Sequence, residues 1–237
     1  MRLNKYLALA GVASRRGAEA LIKAATTMVN GKLVTDPARD IEPDDIVTYD
    51  GRRLSIEPKT QVIILNKPTG VITTVSDEKG RKSVLDFVPH KERLFPVGRL
   101  DRDTTGLVLL TNDGALSNRL AHPRWRILRL YEAVIDRPLS QREIGRLNKG
   151  IFIGEGEFGK AEVIDQSTIK SRSTVILQLR RGKKREIRRL FYHLKRKLFS
   201  LHRTQFGPLN LGDLPIGQWR QLSDLEVTQL KGGLNGY

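Results

Sequence analysis

The sequence contains no cysteine among its 237 residues, which excludes disulfides, thiolate nucleophiles and cysteine-ligated metal sites. No apolar run approaches the roughly 20 residues that a membrane-spanning helix needs, so we expect no membrane association. The first residues lack the apolar core of an export signal, and we therefore expect a cytoplasmic protein. The four histidines are scattered along the chain and indicate no metal centre.

Acidic residues are also scarce, since 26 of them face 42 lysines and arginines to give a net charge of +16. An excess of this size predicts a polyanionic partner, and nucleic acid is the commonest one. The positive charge is concentrated in residues 1–35 and 171–206, whereas residues 36–58 are net acidic. Two separate basic patches indicate two separate contacts with the backbone of one anionic polymer.

Residues 1–58 are predicted to form a small domain of two helices followed by a β-hairpin. Ser14 is suited to cap the second helix. The Asn30-Gly31 pair is typical of a two-residue hairpin turn. We expect residues 52–60 to be the linker to a larger domain.

Three short segments of this region resemble the small αL-type RNA-binding module found in a ribosomal small-subunit protein and in several RNA-modifying enzymes. They are Arg-Leu-Asn-Lys-Tyr-Leu near the start, Ser-Arg-Arg at 14–16 and Val-Asn-Gly-Lys at 29–32. The sequence departs from that module at residues 24–27, where a Gly-containing turn is usual. Basic side chains on such helices mostly contact phosphates. The candidate RNA contacts are Arg2, Lys5, Arg15, Arg16, Lys23 and Lys32.

A dense group of charges precedes the apolar strand predicted at residues 107–110. Asp101 stands in it with Arg99 and Arg102 close by. Positive neighbours favour the charged form of a carboxylate, which makes Asp101 a candidate nucleophile or base on a rigid sheet. Taken alone, the pattern also fits a surface turn whose charges pair with one another.

The run from Gly98 to Leu107 (Gly-Arg-Leu-Asp-Arg-Asp-Thr-Thr-Gly-Leu) resembles the signature loop of the pseudouridine synthases. The resemblance implies that Asp101 is the catalytic residue. Further elements of the same family are matched by Asn-Lys-Pro-Thr-Gly at 66–70, Arg-Leu-Tyr at 129–131 and Arg-Glu-Ile-Arg at 185–188. The resemblance implies that Tyr131 stacks on a uracil. It implies that the planar fork of Arg188 holds the Asp101 carboxylate, with Arg185 as the alternative.

The catalytic domain is predicted to span residues 60–237 as an α+β fold with a mixed, mostly antiparallel sheet, because strands outnumber helices and do not alternate with them. We expect Val71–Val75 to be a strand and residues 180–189 to form a basic helix. Lys67 is expected to be structural or to bind phosphate. The candidate RNA contacts of this domain are Arg102, Arg126, Arg129, Lys183, Lys184, Arg185 and Arg189.

The function that the resemblance implies is isomerisation of a uridine in ribosomal RNA, with the large subunit favoured. The C1′–N1 bond breaks, the uracil turns and C5 bonds to C1′, which needs no cofactor and no metal. The expected protein is a monomer acting on ribosomal RNA or on a ribosome-assembly intermediate. Two other classes stay open: a non-catalytic RNA-binding ribosome-assembly protein, and a metal-dependent nuclease that uses Asp101 and Asp103.

Overall fold

A computed structural model describes residues 1–56, 60–89 and 93–232 of the chain. The chain divides into two compact units, Met1–Thr60 with His90–Arg93 and Gln61–Pro89 with Leu94–Tyr237. No helix in the described ranges is both long and apolar enough to cross a membrane.

The first unit packs two helices against a small antiparallel sheet. The helices are α1 (Leu3–Leu9) and α2 (Arg15–Lys23). The sheet has the order β2-β1-β3-β4, made from β1 (Thr27–Val29), β2 (Lys32–Leu33), β3 (Val47–Tyr49) and β4 (Arg52–Arg53). Both helices and the sheet bury one apolar cluster, which consists of Leu3, Leu7, Ala18, Ile22, Val29, Ile41 and Val47.

Local chemistry sets the boundaries of these elements. The Ser14 hydroxyl accepts the Gly17 N–H at 2.9 Å and so caps α2, as predicted. Asn30 and Gly31 have φ of 52° and 75°, the left-handed values that a two-residue hairpin turn requires. A second Asp-Gly turn at residues 50–51 folds Arg52–Arg53 back onto β3. The predicted linker over 52–60 is therefore wrong at its start, and its residues 57–59 lie outside the described ranges.

The second unit is built on a mixed sheet with the order β11-β12-β8-β13-β7-β5-β15. Strands β13 and β7 run parallel and the other pairs are antiparallel, which confirms the predicted sheet type. The short strands β6 and β14 pair with β7 and β13, and β9 with β10 forms a separate hairpin. The strands are β5 (Val62–Lys67), β6 (Phe95–Pro96), β7 (Thr105–Thr111), β8 (Arg129–Ile135), β9 (Ile151–Phe152), β10 (Phe158–Gly159), β11 (Glu162–Ile169), β12 (Arg172–Leu179), β13 (Leu198–Phe206), β14 (Leu209–Asn210) and β15 (Trp219–Gln221).

Helices, 3₁₀ turns and loops cover β5 and β7 on both faces, which explains the continuous apolar runs in these two strands. The helices are α3 (Gly114–Ala121), α4 (Gln141–Lys149), α5 (Glu186–His193) and α6 (Asp224–Gly232), with single 3₁₀ turns at Val84–Phe87 and Pro123–Trp125. Successive residues of β5 and β7 alternate between two buried clusters, one on each face of the sheet. A strand that is covered on both faces reads as a continuous hydrophobic run, as both of these strands do.

Gly106 permits the close approach of the parallel pair β7 and β13. Its φ is +102°, and a Cβ atom there would lie 2.3 Å from the carbonyl oxygen of Arg203. Any side chain at this position would push the two strands apart. Because the Gly98–Leu107 loop runs into β7 at this point, the glycine also fixes where the loop meets the sheet.

Two predicted elements differ in the structure. Val71–Val75 is not a strand, because Ile72 makes an isolated bridge to Ser83 and Thr73 turns its hydroxyl to another loop. The helix predicted over 180–189 begins only at Glu186, since Arg185 has φ of +53° and residues 180–185 form a loop. Lys184 therefore lies in the loop, whereas Arg188 lies on the helix.

Ala25 occupies the turn in which the αL-type module usually has glycine. Its φ is +59°, a left-handed value that strains any residue with a Cβ atom. The turn is therefore kept despite the departure in sequence, at a cost to the stability of the first unit.

Replacing Ala25 by Gly is expected to stabilise the first unit by about 0.5–1 kcal/mol, because glycine adopts this backbone conformation without strain. Native-state hydrogen exchange of the α2 amides in the full chain measures the change. The matched control is Ala24→Gly, where φ is −78° and glycine is expected to give no gain. Equal effects of the two substitutions would contradict the assignment of strain to Ala25.

Candidate active site

A cavity of about 310 Å³ opens in the second unit beside the loop that joins β6 to β7. The three predicted catalytic residues, Asp101, Tyr131 and Arg188, all line it. They come from the loop, from β8 and from α5, elements far apart in sequence that the sheet brings together. The rest of the lining includes apolar side chains, Thr104, Glu186 and several basic residues, namely Arg99, Arg129, Lys183, Lys184, Arg185 and Arg203.

The segment that follows β5 holds the backbone on both sides of Asp101. The buried Thr73 hydroxyl donates to the Leu100 carbonyl at 3.0 Å and accepts the Leu100 N–H at 3.3 Å. The Gly70 N–H donates to the Arg102 carbonyl at 2.9 Å. The residues before and after Asp101 are therefore fixed, while its own side chain is left about one-third exposed to the cavity.

Lys67 ties the same two segments together from inside the protein. Its side chain is completely buried, and its ammonium donates to the carbonyls of Pro68, Val71 and Arg102 at 2.9, 2.7 and 3.2 Å. Burial lowers the pKa of Lys67 to about 8, against the opposing pull of Asp103 and Asp101. This contact set fits the structural alternative of the sequence analysis, because a buried ammonium that makes three internal bonds has no donor left for a phosphate.

Arg188 approaches the loop from the other side. Its Nη2 donates to the Asp103 carbonyl at 2.9 Å and to the Thr104 hydroxyl at 3.2 Å. Its Nε lies 3.8 Å from Asp101 Oδ2, an ion pair beyond hydrogen-bonding distance. The bidentate clamp expected from the sequence is therefore absent, because the fork of the guanidinium is directed to the backbone of the loop. Burial and Arg185 lower the pKa of Arg188, whereas Asp101 and Asp103 raise it.

Tyr131 belongs to a wall of aromatic and cationic side chains. Arg203 pairs with it directly across the β8–β13 ladder. The ring of Phe206 has two guanidiniums near it, that of Arg129 at 5.1 Å and that of Arg203 at 5.3 Å from the ring centroid. Burial lowers the pKa of Arg129, and the neighbouring Arg203 adds to this effect. Such a wall suits a flat ring that enters the cavity.

The predicted RNA contacts fall into two groups by exposure. Arg2, Lys5, Arg15, Arg16, Lys23 and Lys32 are all exposed on the first unit, and Arg102, Arg126, Lys184 and Arg185 are exposed on the second. Lys183 is half-buried and uses its ammonium on the Phe158 carbonyl. Arg189 donates to two backbone carbonyls of the β9–β10 hairpin and to Glu157. Its guanidinium is thus engaged within the unit, and we do not retain it as an RNA contact.

Two residues of the site escaped the sequence analysis. Glu186, which was noted there only as part of the Arg-Glu-Ile-Arg motif, is buried and accepts the backbone N–H groups of Lys160 and Lys183 at 3.0 and 2.9 Å. Arg203 is 2% exposed and donates to the Leu107 carbonyl at 2.7 Å. An acidic residue inside a basic run was an available signal for Glu186, whereas nothing in the local pattern distinguishes Arg203 from an exposed arginine.

The sequence matches two family models that agree with this architecture. Residues 61–193 match the RNA pseudouridylate synthases, and residues 1–47 match the S4 domain. The chain therefore belongs to the RNA pseudouridylate synthase family, and it is an RNA-modifying isomerase with an N-terminal S4 domain. The resemblance noted in the sequence is confirmed.

Characterised relatives and a solved structure place the chain more closely. It is 39% identical over 233 residues to ribosomal large subunit pseudouridine synthase B of Bacillus subtilis, covering 97% of this chain and 95% of the relative. It is 34% identical to the dual-specificity RNA pseudouridine synthase RluF of Escherichia coli K12, covering 97% and 78%. A crystal structure of a pseudouridylate synthase superposes with a TM-score of 0.68 at 28% identity, covering 97% and 99%.

Activity is expected to fall as the pH rises through about 8, because neutral Lys67 has two N–H groups for three carbonyls. Stability should change in the opposite sense. The folded pKa lies below the ordinary value of 10.5, so the unfolded chain binds more protons between pH 8 and 10.5. In that window the free energy of unfolding should rise relative to a Lys67→Met variant.

Single-turnover rates and urea unfolding of both proteins, measured from pH 7 to about 10, test this prediction. The Met variant should be slow at every pH and should lack the decline above pH 8. A decline of equal size in both proteins would show that another group is responsible.

Proposed function

We propose that this chain converts a uridine of large-subunit ribosomal RNA to pseudouridine, with Asp101 as the catalytic residue. The observation that carries the proposal is the meeting of Asp101, Tyr131 and Arg188 in one cavity. The name of the Bacillus subtilis relative, which covers nearly the whole chain, supports the choice of the large subunit. The chain acts as a monomer in the cytoplasm, on ribosomal RNA or on a ribosome-assembly intermediate.

Asp101 acts at the sugar of the target nucleotide. Its carboxylate either attacks C1′ or assists the removal of a sugar proton, and in both routes the C1′–N1 bond breaks. The uracil then turns and C5 bonds to C1′; this step displaces the carboxylate from C1′ in the first route, and in the second the sugar takes its proton back. The C5 proton leaves and N1 takes a proton, so that the product is an isomer of the substrate. The anchored backbone at Leu100 and Arg102 holds the carboxylate still while its side chain stays accessible.

Tyr131 acts on the base of the target nucleotide, and Arg188 acts on the loop that carries Asp101. The Tyr131 ring packs against the uracil after the nucleotide leaves its stack, a step that costs a few kcal/mol. Arg188 positions the loop through Asp103 and Thr104, and its charge lies near the Asp101 carboxylate. It therefore acts as a positioning residue as well as an electrostatic partner.

Phosphate contacts offset the free energy of base eversion. The exposed basic residues of the second unit that line the cavity are Arg99, Lys184 and Arg185. Arg102 and Arg126 are exposed as well. Arg129 is half-buried and lines the cavity with Tyr131. The six predicted RNA contacts of the first unit, all of them exposed, provide the salt-dependent contacts of an RNA-binding module.

Replacing Asp101 by Asn is expected to abolish tritium release from RNA labelled at uracil C5, because size and hydrogen bonding remain while the charge is lost. RNA affinity should stay within a few-fold of wild type. The matched control is Asp103→Asn, whose exposed side chain forms a long ion pair with Arg102 at 3.9 Å. It should retain turnover.

A nuclease would instead need both carboxylates, would cut the RNA and would respond to a chelator. A non-catalytic assembly protein would show no tritium release even as wild type. Substantial turnover by the Asp101→Asn variant would remove Asp101 from the mechanism.

Replacing Arg188 by Lys is expected to slow the single-turnover rate at least about tenfold, equivalent to about 1.4 kcal/mol of barrier. A single ammonium cannot reach the Asp103 carbonyl and the Thr104 hydroxyl while staying beside Asp101. Affinity for RNA should change little. The comparison is Lys184→Ala, which should weaken affinity in a salt-dependent way and preserve the rate of bound RNA. If the two variants behave alike, Arg188 belongs to the phosphate contacts.

A further inference from the structure

Two phenylalanines face solvent side by side on the β9–β10 hairpin. Phe152 and Phe158 are 50% and 64% exposed, stand opposite each other across the two strands and have ring centroids 5.4 Å apart. The other face of the hairpin buries Ile151 and Ile153 in the core. Both rings are thus presented outward as one patch, which marks a binding surface more often than a lone exposed apolar residue does.

The hairpin that carries this patch is held firmly against α5. Arg189 donates to the Ile153 and Gly154 carbonyls, each at 2.7 Å, and to Glu157 Oε2 at 2.7 Å. A Cβ atom added at Gly159 would lie 3.0 Å from Ile153 Cδ1 and 3.1 Å from Leu190 Cδ2, so the packing beneath is close. The backbone that carries the two rings is therefore fixed before any ligand arrives.

The same hairpin is bonded to the edge of the active-site cavity. The Lys183 ammonium donates to the Phe158 carbonyl at 2.8 Å, so one lysine side chain spans from the cavity lining to the patch. The buried Glu186 carboxylate joins the two segments a second time, through the backbone N–H groups of Lys160 and Lys183. The Phe152–Phe158 patch is thus placed beside the cavity.

The charges around the patch favour an anionic ligand. Lys160, Lys184 and Arg185 are exposed on the segments to which the hairpin is bonded. Of the two glutamates in the hairpin, Glu157 pairs with Arg189 and Glu155 is exposed at the turn. Aromatic faces beside positive charge are the arrangement that binds unpaired nucleic-acid bases, since each base has a face to stack and a phosphate to neutralise.

We propose that Phe152 and Phe158 form a stacking platform for an unpaired RNA base next to the target uridine, an inference that rests on the proposed function. Everting the target uridine removes the stacking partner of its neighbours in the strand. A neighbouring base that moves onto the platform regains a stacked contact and holds the strand across the mouth of the cavity.

The test compares two probes, a fluorescent oligouridylate and an abasic ribose-phosphate chain of the same length and charge. The double substitution Phe152→Ser with Phe158→Ser should lower affinity for the oligouridylate about tenfold or more and leave affinity for the abasic chain unchanged. The double substitution Phe152→Tyr with Phe158→Tyr should bind both probes as the wild type does, because the aromatic rings are kept. Ile169→Ser, at an apolar site 75% exposed on β11, is the matched control and should change neither affinity.

Crosslinking of an oligonucleotide that contains 4-thiouridine provides a second measurement, and the crosslinked peptide should contain Phe152 or Phe158. Unchanged oligouridylate binding by the Ser variant, an equal loss on both probes, or crosslinks confined to other peptides would each overturn the platform. Pseudouridine formation by the wild type in a large-subunit rRNA transcript is assayed separately. Its failure would remove the proposed function, whereas failure of the platform would leave that activity intact.

Discussion

The buried ammonium of Lys67 is the interaction on which the active-site cavity depends. It joins the carbonyls of Pro68, Val71 and Arg102, which belong to two segments with no strand pairing between them. A lysine is rarely buried completely, because desolvating its charge is costly unless hydrogen bonds replace the lost water. The three carbonyls provide that replacement. The charge of Lys67 also lies near Asp101 and Asp103, which raise its pKa against the effect of burial. The signature loop and its support are thus coupled electrostatically as well as by geometry.

Arg188 is a second support of the loop, so contacts on both sides fix the position of Asp101. Thr73 and Gly70 fix the backbone on one side, and the guanidinium fixes Asp103 and Thr104 on the other. Each contact is made to the backbone or to a neighbouring side chain, and none is a short hydrogen bond to the Asp101 carboxylate. A carboxylate held in this way keeps its lone pairs free for the substrate. The ion pair at 3.8 Å contributes charge without occupying the reacting oxygens.

Much of this could be predicted from the sequence, because the information was local or carried by family motifs. An apolar run identified β7, turn chemistry identified the Asn30-Gly31 hairpin, and the motifs identified the three residues that meet in the cavity. What failed depended on distant partners. Val71–Val75 has the composition of a strand, yet its hydrogen bonds go to loops on both sides. The fork of Arg188 reaches the backbone of the loop, a choice that no spacing rule encodes.

The net charge of +16 is a further sequence feature whose meaning for single residues depends on distant partners. As a sum it predicts a polyanionic partner, but it does not say which basic residues meet that partner. Lys67, Arg189 and Arg203 are engaged in internal bonds, and each holds a segment that lines or borders the cavity. The exposed residues, such as Lys184 and Arg185, are those for which we propose phosphate contacts. Positive charge therefore has two roles in this chain. Inside, it replaces backbone pairing where loops must stay open for a substrate, and outside, it compensates the charge of the RNA that enters.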